Sequence, residues 1–440
     1  MTAIPFWKKA LFCALALLPF YVALEVSSWL LLEHYVPSRT KARLNYVEPE
    51  DYIAAAKKAR KAAAKSVKII SAGTADKASR DAGLIMFHKD LGWDFPPGVK
   101  YTDSDGVLYT HGPDGERRTC TSYDKTLIAS FGDSFTYCAQ VGDQSTWQTY
   151  LARDIESNVL NYGVGGYGTD QAYLKYLSRA AGLQAPIVTL GILPENINRV
   201  VNNYRTFYSF NDPLGLTKPR FNASGGAVTP APNPLRSSAD VRKLNDPAFV
   251  ARLGRDDFWY QLGLRAPRLG FPYTVSLWRW RHTALTGIRE ALARNLPPGT
   301  VEPVFSNNLY DDPQSLAIMT HVVDRFVETA KLNGAKPLVL IMPHADYVTE
   351  VMETGACRVD PLISHLKLKN CEYVDLIRMM AALDPDEKTL EKWFIGHAGP
   401  EGNKVVAELI ALRLHEKGLA VSKSYRRLRT QSAPSGGGAK

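Results

Sequence analysis

The chain has 440 residues, 45% hydrophobic and 22% charged. That balance belongs to a folded protein with a sizeable core and excludes a disordered chain. The formal charge of +9 would suit a nucleic acid, an anionic lipid surface or an acidic polymer. No zinc-finger spacing, RNP-like aromatic stretch or helix-turn-helix accompanies it, so no nucleic-acid partner is expected.

In chain order, residues 1–9 form a short tail carrying Lys8 and Lys9. Residues 10–32 are apolar apart from Glu25 and two serines, and they reach the roughly 20 residues a helix needs to cross a bilayer core. No small-x-small cleavage site follows, so an uncleaved transmembrane anchor is preferred to a signal peptide. Pro19 is a candidate kink, and Glu25 is expected near a membrane face. Lys8 and Lys9 before the span are outnumbered by Arg39, Lys41 and Arg43 after it. The charges therefore do not favour a cytoplasmic N-terminus. The expected arrangement is a single-pass membrane protein whose folded part is extracytoplasmic, periplasmic in a bacterium.

Residues 33–68 read as a helical juxtamembrane stalk, rich in Ala and Lys and basic at Lys57, Lys58, Arg60, Lys61, Lys65 and Lys68. Residues 69–124 are rich in turn formers, including Pro96-Pro97-Gly98, Asp105-Gly106 and Asp114-Gly115, and read as a β-rich lead-in. From 125 to 420 the pattern alternates. Short apolar runs at 126–131, 158–162, 187–190, 337–342 and 373–376 are separated by helical stretches at 147–155, 171–181, 317–332 and 400–414. Alternating strands and helices predict an α/β domain with a parallel sheet. An insertion at 200–312, rich in Pro, Arg and aromatics, is too long for a plain loop and suggests a lid or substrate-binding subdomain. Residues 421–440, with Arg426, Arg427 and Arg429 and a glycine run, read as a disordered tail.

Ligands of open parallel sheets bind at the carboxyl ends of the strands. Gly132-Asp133-Ser134-Phe135-Thr136 follows the first strand and Asn161 to Gly168 the second. Gly191 to Asn196 follows the third and Pro343-His344 the fourth, while His397 precedes the last helix. This set suits acyl transfer. Ser134 opens a helix, so its hydroxyl can attack and its own N–H can donate to an oxyanion. Gly166 permits close backbone approach, and the amide of Asn196 is a third candidate donor. His397 is the candidate base.

The run Gly132 to Thr136 resembles block I of the SGNH/GDSL hydrolases. The run Asn161 to Gln171 resembles block II with its glycine at Gly166, Asn196 corresponds to the block III asparagine, and His397 to Asn403 resembles block V. The resemblance covers roughly 125–418, broken by the insertion. It implies a flavodoxin-like three-layer α/β/α sheet and ester hydrolysis or acyl transfer with no metal or cofactor. One departure concerns the acid. The family places Asp three residues before the histidine, and here that position is Phe394. A supporting acid from Asp384, Asp386 or Glu391, or a Ser–His dyad, remains open, and His344 is a further candidate base.

Asp133, Arg199, Tyr204, Arg205 and His344 are candidate substrate contacts, with Arg offering a planar fork to carboxylates and tyrosines able to stack on sugars. Arg199 and Arg205 could equally pair with acids that hold the insertion on the core. Cys13 lies in the apolar segment. Cys120 with Cys138 and Cys357 with Cys371 are plausible local disulfides, against free buried thiols. The expected function is a membrane-tethered serine esterase or O-acyltransferase acting on O-acylated glycans or cell-envelope polymers. The alternative is a non-catalytic glycan-binding or assembly scaffold on the same fold.

Overall fold

The computed structural model describes residues 5–35, 47–63, 65, 68–71, 73–74, 86–210, 212, 214–265, 270–281, 285 and 308–425. Arg39, Lys41, Arg43 and the basic C-terminal tail lie outside the described residues. The chain forms two units: residues 1–48 with 259–307, and residues 49–258 with 308–440.

In the first unit, helix α1 spans Phe6–Tyr35 and continues through Pro19. Its stretch Phe6–Glu33 is long and apolar enough to cross a membrane, by length and composition. Most of its apolar side chains, including Phe12 and Phe20, face outward rather than into protein. Two pieces of the insertion belong to this unit, helix Phe258–Arg265 from its second residue onward and a helix at 273–281. Leu32 and Trp280 are buried together, with Leu262, Tyr273 and Leu277 packed around them.

The second unit begins with α2, Pro49–Ala63. Proline opens the helix, Glu50 and Asp51 sit in its first turn, and Arg60 and Lys61 in its last, each matching the helix dipole. Tyr52, Ile53, Ala56 and Ala59 recur on one face and are buried. The Tyr52 ring meets Phe207 at 4.9 Å and Phe210 at 5.0 Å. The described part of the expected stalk is therefore packed against its own unit rather than solvated.

Among the described residues before the central sheet are five short strands. Strands β1 (Lys68–Ser71), β4 (Lys100–Thr102) and β5 (Leu108–Thr110) form one antiparallel sheet, and β2 (Met86–His88) pairs with β3 (Gly92–Asp94). The β4–β5 turn uses Gly106 at φ +78°, with the Asp103 carboxylate accepting from the amides of Asp105 and Val107. Rings of Phe95, Tyr109 and His111 stack with Tyr137 of the next segment, and Tyr101 stacks on Tyr109 and shares a hydroxyl hydrogen bond with Tyr137, fastening the lead-in to the main domain.

The central sheet is parallel, with strands β6 (Thr126–Phe131), β7 (Asn158–Asn161), β8 (Ile187–Ile192), β11 (Lys336–Ile341) and β12 (Tyr373–Asp375). Their spatial order is β12-β11-β8-β6-β7, which is the flavodoxin-like order. Every residue of β8 is buried, the continuous apolar run of a strand covered on both faces. Helix α4 (Trp147–Ile155) links β6 to β7, and α5 (Thr169–Arg179) links β7 to β8. These crossovers run in opposite directions along the sheet, so the right-handed rule puts the two helices on opposite faces. Helix α4 packs against the last helix, Pro400–Glu416, and α5 against the helix Pro313–Leu332. The strand order reverses between β6 and β8, and ligands of such sheets bind at that switch point.

The portion of the insertion at 200–258 stays with this unit and includes the hairpin β9 (Arg220–Ser224) and β10 (Ala227–Ala231), turned by Gly225-Gly226. Lys218 donates to Asp170 on α5, an ion pair fully inside the protein that anchors this segment to the core.

Candidate active site

Strand β6 delivers the chain to Gly132, where a Cβ would lie 2.1 Å from Thr136 Oγ1 and 2.8 Å from its Cβ. The turn into the one-turn helix α3 (Ser134–Tyr137) is therefore too tight for any other residue. Asp133 caps this helix, accepting from the Phe135 amide at 2.9 Å. Ser134 is the first helical residue, so its own N–H has no intrahelical acceptor, and it donates to nothing among the described residues.

His397 lies 263 residues later, in the turn between Phe394 and Ala398 that precedes the last helix. Its Nε2 is 2.9 Å from Ser134 Oγ. The hydroxyl and imidazole that the sequence pairs are in contact.

The far nitrogen of the ring meets an amide rather than an acid. His397 Nδ1 is 2.9 Å from Gln140 Oε1, and the same oxygen accepts the His397 backbone N–H at 2.7 Å. A backbone N–H can only donate, so it fixes Gln140 Oε1 as the acceptor side of the amide. Nδ1 must then carry the proton, and Nε2 keeps its lone pair for Ser134. Burial is the main reason that the imidazole pKa falls to about 4, with Arg199 and His344 adding to it and Glu195 opposing. At neutral pH the ring is uncharged and able to accept a proton.

Gln140 sits in the left-handed region at φ +70°, and its backbone N–H donates to the Tyr109 hydroxyl at 3.0 Å. The loop that carries it is held by Arg117, which is buried. Arg117 donates to the carbonyls of Tyr137 at 2.7 Å, Cys138 at 2.5 Å and Val141, and to Asp143 at 3.1 Å. The rings of Tyr109 and Tyr137 lie 4.6 and 4.8 Å from its guanidinium carbon. The lead-in thus supplies the support for the residue that orients the histidine. Sequence reasoning missed both residues. Gln140 belongs to no motif, and Arg117 is one arginine among turn formers.

The supporting acids suggested by sequence stand elsewhere. Asp384 and Glu391 are exposed, and Asp386 caps the helix Glu387–Trp393 through the Thr389 amide at 2.9 Å. None of them bonds to His397. His344 is also displaced from the role of base. Its Nδ1 accepts from the Asp346 amide at 3.2 Å, and its Nε2 faces the Gly396 carbonyl at 3.2 Å. It steadies the turn that carries His397.

The candidate substrate contacts are mostly internal. Asp133 is buried between the helix it caps and Arg199, whose guanidinium lies 3.2 Å from it and also bonds Glu195 and the Tyr167 carbonyl. Burial raises the Asp133 pKa, and Arg199 pulls it back. Tyr204 is fully buried, edge-on to Phe207 at 4.9 Å. Arg205 bonds Asp212 at 2.8 Å and lies over the Tyr208 ring. These residues form the wall rather than a binding surface, because acids close in the fold neutralise the cations before a ligand can.

Of the expected oxyanion donors, Gly166 takes φ +77°, and a Cβ there would lie 2.4 Å from Leu214 Cδ1. Its N–H donates to no group among the described residues. Asn196 ends the turn after β8 and is buried. Its amide completes no hydrogen bond among the described residues, although it lies close enough to Asp133 to favour that carboxylate's charged form.

All five cysteines are free. Cys138 turns inward to Gln148 Oε1 at 3.3 Å, and burial raises its thiol to about 12, whereas Cys120 is exposed. Cys357 is buried and Cys371 is partly exposed. The two disulfides are not formed.

No family model and no curated protein matches the chain. Among solved structures, it is similar to a protein described as lipolytic, of the G-D-S-L family, from Desulfitobacterium hafniense DCB-2. Identity is 12%, with 65% of this chain and 98% of that one covered and a TM-score of 0.31. A second solved structure is 13% identical over 67% of this chain and 99% of its own, with a TM-score of 0.32. Likenesses this distant leave function to the geometry of the site.

Proposed function

We propose that the protein is a serine ester hydrolase or O-acyltransferase that works through an acyl-enzyme on Ser134. The observation that carries this reading is the relay Ser134 Oγ–His397 Nε2 at 2.9 Å and His397 Nδ1–Gln140 Oε1 at 2.9 Å, at the switch point of the sheet. The resemblance of the sequence blocks to SGNH/GDSL hydrolases supports the same reading.

In the first half-reaction, the Ser134 oxygen adds to the acyl carbon as its proton passes to His397 Nε2. The oxyanion takes hydrogen bonds from the free N–H groups of Ser134 and Gly166 and from the Asn196 amide. Collapse breaks the ester bond, and His397 returns the proton to the leaving alcohol. Water then repeats the sequence in hydrolysis, or a hydroxyl of an acceptor does so in transfer. Gln140 holds the tautomer but, being neutral, gives the imidazolium no ionic partner.

An apolar helix long enough to span a bilayer supports a membrane-tethered enzyme. The proposed setting is extracytoplasmic, with an O-acylated glycan or envelope polymer as substrate. The buried state of Arg199, Tyr204 and Arg205 removes the cationic and aromatic grip as support for a glycan, so that class rests on the tether.

Release of acetate from a small acetyl ester by the full-length protein tests the chemistry. Ser134→Ala is expected to lower turnover at least about 1,000-fold, and equal release by the variant would refute the nucleophile. The neutral Gln140 favours a second reading, a non-catalytic scaffold that binds acylated glycan. Glycan binding retained in Ser134→Ala, with no turnover in the wild type, would select it.

A further inference from the structure

In the first unit, Glu25 interrupts an otherwise apolar helix surface, with Val22, Leu24, Val26 and Trp29 exposed around it. A carboxylate in such a setting needs a partner. It has one in the insertion, where Glu25 accepts from the amides of Tyr273 and Thr274 and from the Thr274 hydroxyl. The acid thereby caps the helix at 273–281, satisfying amides that have no intrahelical acceptor.

This second helix has two apolar faces. Tyr273, Leu277 and Trp280 recur at helical spacing and pack with Leu32. Phe271 lies two residues before this helix, and Val275 and Trp278 sit on it two residues before Leu277 and Trp280, hence about 200° around the axis from them. They are 68%, 45% and 68% exposed. Its polar hydroxyls are already used, Thr274 on Glu25 and Ser276 on the Gly270 carbonyl at 2.8 Å. Arg279 and Arg281 gather at its C-terminal end, with Arg281 4.5 Å from the Trp278 ring. An apolar cleft of about 360 Å³ opens between Tyr21, Val26 and Trp29 of α1 and Phe271.

Its two ends meet Glu25 and Leu32, so it runs along α1, and a helix apolar on both sides with tryptophan and arginine at one end suits an element set into a bilayer with that end at the headgroups. We infer that residues 270–281 are embedded in the same bilayer that α1 spans. Phe271, Val275 and Trp278 face acyl chains, and Arg279 and Arg281 reach anionic headgroups. The occupant of the open face is lipid because it continues the outward apolar surface of α1. This rests on the membrane-spanning reading of α1 proposed above, and it makes this part of the insertion a second membrane contact rather than a lid.

The test uses full-length protein in vesicles of phosphatidylcholine and phosphatidylglycerol. Cys13, Cys120 and Cys371 are replaced by serine, and one bimane label is placed in turn by Leu17→Cys, Trp278→Cys, Val275→Cys or Leu332→Cys. We expect nitroxide-bearing lipid to remove most of the fluorescence at 17, 275 and 278 and aqueous iodide to remove little. The reverse is expected at 332, an exposed position of the second unit. Iodide quenching at 275 and 278, with 17 still quenched by lipid, would overturn the inference and leave the span intact. Shielding at 275 and 278 from both quenchers would also overturn it, by revealing a protein partner or second copy. Escape of 17 itself from lipid quenching would defeat the spanning reading and this inference together.

Discussion

At Gln140 the site departs from a serine triad with an ionised third member. The amide approaches His397 from the serine's own loop, and an oxygen fixed by the His397 backbone N–H preserves the tautomer that Ser134 needs. Wrong-tautomer orientation accounts for much of the damage when a triad acid becomes an amide, and here that damage is avoided. Charge stabilisation of the imidazolium is what is missing. Gln140→Ala is therefore expected to cost about 10- to 100-fold in kcat, less than removal of an ionised acid, with KM little changed. The pH profile is the sharper readout. His397 must be neutral to accept a proton, and burial with Arg199 and His344 opposes its charging while Glu195 favours it. The acid limb of kcat/KM should then fall near pH 4. Gln140→Glu should move the limb upward, because a carboxylate beside Nδ1 favours the imidazolium. A wild-type limb near the ordinary histidine value of about 6.5 would contradict this account. The same shift has a consequence for folding. Between about pH 6.5 and 4 the unfolded chain binds a proton at His397 that the native state does not, so this contribution to stability declines as pH falls.

Among the elements, the loop from Tyr137 to Val141 is shaped by contacts on two sides. A Cβ at Gly163 would lie 2.3 Å from the Tyr137 nitrogen, backbone that cannot give way cheaply. Gly163→Ala should therefore push the end of α3 and lower both stability and kcat, measurable by denaturant melts and ester turnover. On the other side, Arg117→Met leaves Asp143 buried without its cation. A loss of about 3–5 kcal/mol in unfolding free energy is expected, and a melt superimposable on wild type would contradict the role given to Arg117. The strands were readable because β6, β8 and β11 are apolar runs bounded by glycine, proline or polar chain, and the serine and histidine because each sits at a marked boundary. Element ends were less legible: β8 continues to Ile192 and α5 begins at Thr169. Gln140 could not be read, since nothing local distinguishes a glutamine that will meet a backbone N–H 257 residues away. For Arg199 and Arg205 the sequence left substrate contact and acid pairing equally open, and the fold shows pairing. Glu195 and Asp212 are local partners, whereas Asp133 meets Arg199 only on folding, from 66 residues away.

Across the whole molecule, the insertion is divided between two units, with 200–258 kept beside the sheet and 259–307 grouped with α1. Its division did not show in the sequence, because the ties to α1, the Glu25 cap and the packing of Leu32 with Trp280, join residues about 250 positions apart. Glu25→Leu should release that cap. Arg279 and Arg281 should then be cut faster by trypsin in the full-length protein, and unchanged cleavage would speak against the cap as the restraint. The α/β class and the order of motifs were legible at this scale, since they follow from alternating periodicity along the chain. The central claim is that folding has made Ser134 a nucleophile. Intact-mass and peptide-mapping spectrometry of the full-length protein after fluorophosphonate treatment tests it most directly. The account predicts one adduct, on Ser134, absent in Ser134→Ala and formed far more slowly in His397→Ala. An adduct on another residue, or equal labelling of Ser134→Ala, would contradict it.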